Sequence, residues 1–263
     1  MTGATLVVRP GGKGANQAVA AVECGASVRL LARVGADAAG IAQRHDLHVR
    51  GVDVALVMDT PGAATGAAFV TVTPDGENAV TVAPGANALL RARDVDAVAD
   101  AISGSTVLVA QLEVPLEAVV RALDHCGPDT HSLLNAAPSC PLPGSVLERV
   151  DTLVVNQDEA AALVGSPIEG VAGARPAAGA IVNLGSRAVV VTLGAQGAVV
   201  ADSEGCTHIP APSVRVVDST GAGDVFVGAL AALLADGRPL DGAVVTAVER
   251  ASASVAFVGA RSS

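Results

Sequence analysis

The run Asp218-Ser219-Thr220-Gly221-Ala222-Gly223-Asp224 leads directly into an apolar stretch of helical length. Small residues ahead of a helix leave backbone N–H groups free, and the helix dipole adds positive potential there. Such a turn suits the charge that builds on a phosphoryl group in transit. An aspartate at its rim can take the proton from an attacking hydroxyl. The same residues also read as a plain glycine-rich turn in which Asp224 is an N-cap. A second run, Gly11-Gly12-Lys13-Gly14-Ala15-Asn16-Gln17, again enters a helix. It is not a Walker A loop, which needs four residues between its first Gly and the Gly-Lys-Ser/Thr ending. Its glycines allow close backbone approach, and Lys13 and Asn16 can hydrogen-bond a polyhydroxylated ligand. A flexible loop with an exposed lysine is the alternative.

Positioning these two runs requires regular elements, and the hydrophobic pattern supplies them. Strand-length apolar runs alternate with Ala-rich helical segments, which predicts a largely parallel sheet with helices on both faces. Strands are expected at Val28–Ala32, Val107–Leu112, Leu153–Asn156, Ala188–Leu193 and Gly197–Ala201. Helices are expected at Gln17–Cys24, Pro115–Asp124, Gln157–Val164, Arg175–Leu184, Asp224–Asp236 and Leu240–Val255. Residues Gly165–Ala180, rich in Gly, Ala and Pro, read as a loop entering a helix. Gly66–Val72 and Asn78–Val82 read as a hairpin joined by Thr73-Pro74-Asp75-Gly76-Glu77, whose residues suit a turn. That hairpin is either a lid over a site at the carboxyl ends of the parallel strands or a surface decoration.

Composition narrows the class. The 263 residues suffice for one α/β domain with a well-buried core. Tyr and Trp are absent and there are only three Phe, so the core must be aliphatic. Sixteen basic against twenty-six acidic residues, a formal charge of −10, argue against a nucleic-acid partner. A nucleotide is still compatible, because local backbone N–H groups can hold its phosphates. Val225–Ala235 is too short to span a bilayer, and no signal peptide is visible, so a soluble cytoplasmic protein is expected. Cys24, Cys126, Cys140 and Cys206 show no C-x-x-C pairing and the five histidines no metal-ligand spacing. They read as buried thiols and ordinary loop or surface histidines.

Taken together and in order, the two glycine-rich runs resemble the two signatures of ribokinases and the wider PfkB carbohydrate-kinase family. Between them, Gln111-Leu112-Glu113-Val114-Pro115-Leu116-Glu117 is similar to the segment that supplies a sugar-contacting glutamate. Asn135-Ala136-Ala137-Pro138 resembles the family's Asn-Pro-Ala-Pro loop, with Ala136 in place of the usual proline. Asn156-Gln157-Asp158-Glu159 matches its Asn-x-x-Glu motif, and Thr192-Leu193-Gly194-Ala195-Gln196-Gly197 its Thr-Leu-Gly-x-x-Gly turn. Pro84-Gly85-Ala86-Asn87 and Asp75-Gly76-Glu77-Asn78 fit as well.

The resemblance implies a three-layer ribokinase-like α/β fold with a mostly parallel central sheet and a small β-sheet lid. It also implies an ATP-dependent sugar kinase, with ribose as the preferred substrate. Asp224 would be the catalytic base, and Gly221, Ala222 and Gly223 the anion hole. Gly12, Lys13, Asn16 and Glu113 would contact sugar hydroxyls. Asn156, Thr192, Gly194 and Gly197 would line the nucleotide side, while Glu159 with Asn156 would organise Mg²⁺ and its waters. Asp218 and Thr220, closed by Ser254, Gly259 and Ser263, would hold an activating monovalent cation, K⁺. Homodimerisation through the lid sheet is also implied.

Relative to the family, the glycine-lysine run stands close to the start, so that Met1–Arg9 offers only a lid-like strand. The resemblance implies a single domain over residues 1–263 with lid strands within about 3–10 and 64–83. It further implies that the family's first strand, a sugar-binding aspartate and a C-terminal segment lack counterparts. The rival readings are another kinase of the same fold, acting on fructose, a keto-deoxy sugar acid or a nucleoside, and a silent sugar- or nucleotide-binding remnant. A Rossmann dehydrogenase is disfavoured, because no Gly-x-Gly-x-x-Gly follows an early strand.

Overall fold

The computed structural model describes residues 7–72, 78–259 and 261. Helix α1 (Lys13–Glu23) comes first, then strand β1 (Ala32–Gly35), helix α2 (Ala38–Val49) and strand β2 (Val57–Thr60). Strands β3 (Ala67–Val72) and β4 (Asn78–Ala83) precede two short helices, α3 (Ala92–Asp96) and α4 (Ala99–Ser103). An alternating series follows: β5 (Val107–Gln111), α5 (Leu116–Asp124), β6 (His131–Asn135), α6 (Gly144–Leu147) and β7 (Thr152–Asn156). It continues through α7 (Gln157–Val164), α8 (Gly170–Val182), β8 (Ala188–Thr192), β9 (Ala198–Asp202) and β10 (Cys206–Ile209). Helices α9 (Ala222–Ala235) and α10 (Leu240–Ser254) come last.

The main sheet has the order β10-β9-β8-β7-β6-β5. Strands β5 to β8 are parallel, and β9 and β10 are added antiparallel. Strands β1 and β2 form a separate parallel pair, and β3 with β4 a separate antiparallel one. Alternate residues of the central strands enter two different cores, as the period of two requires. Leu134, Leu153, Val155, Val189 and Val191 pack under α5, α6, α7 and α8. Leu133, Val154, Val190 and Val200 pack under α9 and α10. A parallel sheet buried on both faces needs uninterrupted apolar strands, and the Val/Leu-rich runs provide them.

Several boundaries differ from the sequence reading. The apolar alternation at Val28–Ala32 is real, since Val28 and Leu30 pack beside α1 while Leu31 packs beside Val95 and Ile102. Its ladder, however, begins only at Ala32, preceded by an isolated bridge from Arg29 to Asp53. Helix α8 starts at Gly170 rather than Arg175 and runs through Pro176. A proline inside a helix costs about 3 kcal/mol, and here burial of Ala174, Ala177, Ala178 and Ile181 against the sheet offsets it. Strand β6 escapes a hydropathy reading because it carries Ser132 in the core. That hydroxyl donates to the Arg149 carbonyl at 2.8 Å, and the Ser132 backbone N–H donates to the Asp151 carboxylate at 2.8 Å. Residues 7–10 form no strand, residues 3–6 lie outside the described residues, and so does the turn at 73–77. The four cysteines are free and half-buried rather than fully enclosed. Among the described residues no helix is long and apolar enough to cross a membrane.

Helix α1 lies against α9, wedged between it and a small core of Leu47 and Val52. The contact is close because Gly228 of α9 has no side chain. A Cβ there would stand 2.4 Å from the Gln17 carbonyl oxygen and 2.6 Å from the Ala20 Cβ. Gly228→Ala is therefore expected to lower the unfolding free energy by about 1–3 kcal/mol through overpacking. Gly242→Ala at an exposed position of α10, where a Cβ meets nothing within 4 Å, should hold or slightly raise it. Urea denaturation of the two variants beside the parent checks the contrast.

Candidate active site

The first turn of α9 carries Asp224, which is 7% exposed. One carboxylate oxygen accepts from Asn16 Nδ2 at 2.8 Å, and the other from Gln17 Nε2 at 3.1 Å. Both donors stand on the first turns of α1, so the two glycine-rich runs, remote in sequence, meet at one carboxylate. Gln17 Nε2 also reaches Asn135 Oδ1 at 3.1 Å, at the end of β6. Burial pushes the Asp224 pKa up; the Asn16 and Gln17 hydrogen bonds and the positive charges of Lys13 and Arg261 counter that rise.

Asp224 opens into a cavity that it shares with Lys13, Asn135, Asn156, Glu159, Thr192, Gly221 and Gly223. The carboxyl ends of the parallel strands supply much of its floor: Asn135 ends β6, Asn156 ends β7 and Thr192 ends β8. This is where open α/β sheets bind ligands. Asn156 and Glu159 form a reciprocal capping box on α7. The Asn156 side chain accepts from Glu159 N, and the Glu159 carboxylate accepts from Asn156 N, each at 2.8 Å. Glu159 is only 8% exposed, and burial raises its pKa, with Lys13 acting in the opposite direction.

The remaining residues singled out from the sequence fall into three groups. On the side of the glycine loop, the Lys13 N–H donates to Glu113 Oε2 at 2.8 Å, and Gly12 adopts φ 89°, open mainly to glycine. Asn16 has both ends of its amide engaged, donating to Asp224 and accepting from Arg261 Nε at 2.9 Å. At the α9 turn, Gly221 and Gly223 line the cavity, whereas the Ala222 N–H donates back to the Ser219 carbonyl at 3.2 Å. Gly194 and Gly197 shape the turn after β8 rather than the cavity wall. A Cβ on Gly197 would sit 2.0 Å from the Ile209 carbonyl oxygen.

The third group is Asp218, Thr220, Ser254 and Gly259. Asp218 accepts from Thr220 N and Gly259 N, both at 2.9 Å; the Thr220 hydroxyl first, and these backbone bonds after it, hold its carboxyl below the usual aspartate range. The Ser254 hydroxyl donates to the Ala251 carbonyl within α10. Ser263 lies outside the described residues. Sequence reasoning overlooked Gln17, Asn135 and Arg261. Gln17 and Asn135 stood inside recognised motifs, and Arg261 lies between Gly259 and Ser263, which the resemblance assigned to a cation site without giving Arg261 a role.

The model of pfkB family carbohydrate kinases matches residues 1–263. The chain belongs to that family. It is a sugar kinase, a phosphotransferase, with the ribokinase-like fold. A ribokinase from Staphylococcus aureus is 35% identical over 225 residues, covering 85% of this chain and 74% of that protein. A deoxyribokinase from Salmonella typhi is 34% identical over 255 residues, covering 96% of this chain and 83% of that protein. The structure of Arabidopsis thaliana ribokinase complexed with ribose and ATP matches with a TM-score of 0.86 at 27% identity, covering 95% of this chain and 82% of that one.

The capping box of this kinase yields a direct test. Asn156→Ala removes the acceptor for Glu159 N and should cost about 1 kcal/mol of unfolding free energy. Asn156→Asp keeps an equally good cap and should stay within a few tenths of the parent by urea denaturation.

Proposed function

We propose that this kinase transfers the γ-phosphate of ATP to D-ribose, giving D-ribose 5-phosphate, with Asp224 as the general base. The observation that carries the reading is the buried Asp224 carboxylate, fixed on both oxygens by amides of α1 at the N-terminus of α9. Each oxygen keeps a lone pair, so the carboxylate can accept the sugar proton without changing rotamer. The hydroxyl oxygen then bonds to the γ-phosphorus as the bond to the ADP oxygen breaks, and the proton passes to Asp224.

Gly221 and Gly223, at the positive end of the α9 dipole, stabilise charge on the phosphoryl oxygens. Lys13 adds a cation in the same cavity. Gly12, Asn16 and Glu113 frame the sugar side, while Asn156 and Thr192 bound the nucleotide side and Gly194 and Gly197 shape the turn that follows Thr192. Glu159 and Asn156 present hard oxygen donors in the cavity. Such a sparse set suits Mg²⁺, which keeps waters and takes most other ligands from substrate phosphates. Bound there with ATP, Mg²⁺ would neutralise phosphate charge. Asp218 and Thr220, with Ser254 and Gly259 nearby, would hold K⁺ beside the α9 turn. A cytoplasmic setting, where ATP is supplied, goes with this reading. So does pairing of two copies across β3 and β4, where Phe69 and Val82 are exposed.

Ribose is favoured by the joint presence of Gly-Gly-Lys-Gly-Ala-Asn-Gln and Gln-Leu-Glu-Val-Pro-Leu-Glu. The deoxyribokinase likeness makes 2-deoxyribose the sharpest competitor in a substrate panel. Ribose-dependent ADP release with Mg²⁺ and K⁺ should fall about 10²–10⁴-fold in Asp224→Asn, with ATP affinity by calorimetry unchanged. A folded parent that binds ATP yet turns over no sugar would replace the reading with a silent nucleotide-binding protein.

The pH profile supplies a second check. Only ionised Asp224 can accept the proton, and burial raises its pKa, so activity is lost as pH falls through that raised value. The acid limb of kcat/KM should therefore lie above the 3.8 of an ordinary aspartate.

A further inference from the structure

The side chain of Arg261 is 4% exposed. Arginine ordinarily reaches into solvent on its flexible stem. Instead its guanidinium nitrogens are spread over three partners. Nε donates to Asn16 Oδ1 at 2.9 Å, Nη2 donates to the Gly11 carbonyl at 2.9 Å, and Nη1 pairs with Asp46 of α2. Removing a guanidinium from water costs several kcal/mol that one ion pair does not reliably repay, so stability is a weak reason for the arrangement.

We infer that Arg261 is a positioning residue for phosphoryl transfer, orienting the Asn16 amide toward Asp224 and anchoring the Gly11 end of the sugar loop. An amide has one acceptor end and one donor end. With Oδ1 held by a cation, Nδ2 must face the carboxylate, and the donor cannot rotate away. The rigid guanidinium fork reaches Asn16 and Gly11 at once, which the single ammonium of lysine does not reproduce. Neighbouring bonds place the same chain segment against the α9 turn: Gly259 N–H donates to Asp218, and Val217 and Asp218 N–H donate to the Val255 carbonyl. Val255, Gly259 and Arg261 thus brace both glycine-rich runs. The charged groups around Asp224 are Lys13 of α1, Glu159 of α7 in the shared cavity, and Arg261. Asp46, which also pairs with Arg50, balances Arg261.

The inference rests on Asp224 acting as base, and the experiment separates the two. Steady-state kinetics would be run on the full chain with ribose, ATP, Mg²⁺ and K⁺, for Arg261→Gln, Arg261→Lys, Asn16→Ala and the Asn16→Ala/Arg261→Gln pair. Arg261→Gln should lower kcat about 10–100-fold, as small misplacements of reacting groups do. It should raise KM for the sugar, leave KM for ATP within about twofold, and move the acid limb to higher pH because a nearby positive charge is gone. Arg261→Lys should restore the acid limb but only part of kcat. The double variant should match Asn16→Ala rather than multiply the two losses. A loss of folded protein alone would scale kcat and move neither the limb nor the sugar KM.

Parent-like kcat and acid limb in Arg261→Gln, or multiplicative losses in the double variant, would overturn the positioning role. If Arg261→Gln fails to fold, Arg261→Lys decides alone: full parent kcat there also overturns it. Activity surviving in Asp224→Asn instead removes the base assignment and leaves the Arg261 data to stand by themselves.

Discussion

A carboxylate placed 7% exposed at a helix N-terminus sets the terms for much of this molecule. Taking an ionised aspartate from water costs several kcal/mol unless hydrogen bonds and nearby charge replace the lost hydration. Asp224 gains two amide donors from α1, the dipole end of α9 and the charges of Lys13 and Arg261. Those donors reach it only if α1 lies almost backbone to backbone on α9. That approach in turn demands a glycine at 228 and alanines along α1.

The sheet contributes through a recurring local device. Strands β6, β7 and β8 carry apolar residues through their centres and end on Asn135, Asn156 and Thr192. Because neighbouring parallel strands keep register, Asn156 lies opposite Thr192, while Asn135 lies opposite Val154, two residues before Asn156. Gln111 ends β5 in the same way, and its Oε1 accepts from the Glu113 N–H at 2.6 Å. Glu113 in turn accepts from Lys13 N, so the end of an outer strand fixes the start of α1. Helix packing and sheet register therefore converge on one cavity from opposite sides.

This division explains what could be read in the sequence. Glycine-rich helix starts and polar strand ends are local features, and each was visible in its own few residues. The mostly parallel sheet was legible for the same reason, since buried parallel strands are continuous apolar runs. What connects them is not local. Asn16 meets Asp224, and Gln17 meets Asn135, only through the α1–α9 contact. Lys13 and Glu113 join across the end of β5. Strand β6 was hidden because Ser132 is satisfied inside the core by Arg149 and Asp151, which hydropathy cannot register. The start of α8 was hidden because tertiary burial overrides the local cost of Pro176. Arg261 is the extreme case: an arginine between residues marked only for a cation loop, whose own partners come from α1, α2 and the glycine loop.

The overall charge illustrates how far local arrangement can depart from composition. A protein of formal charge −10 repels anions at long range, yet cations and helix N-termini meet at its cavity. The Debye length is about 8 Å at physiological ionic strength, so most surface carboxylates are screened from a ligand inside the cavity. Within a few ångströms the balance is different. The N-termini of α1 and α9 both open there, Lys13 lies between the buried Asp224 and Glu159, and Arg261 sits behind Asn16. Ionised, the two carboxylates offset the two cations, and the oriented backbone N–H groups at the two helix ends then add positive potential. The charge that matters to a phosphoryl group is the sum over this first few ångströms, which depends on two helix ends meeting and not on the count of acidic residues along the chain.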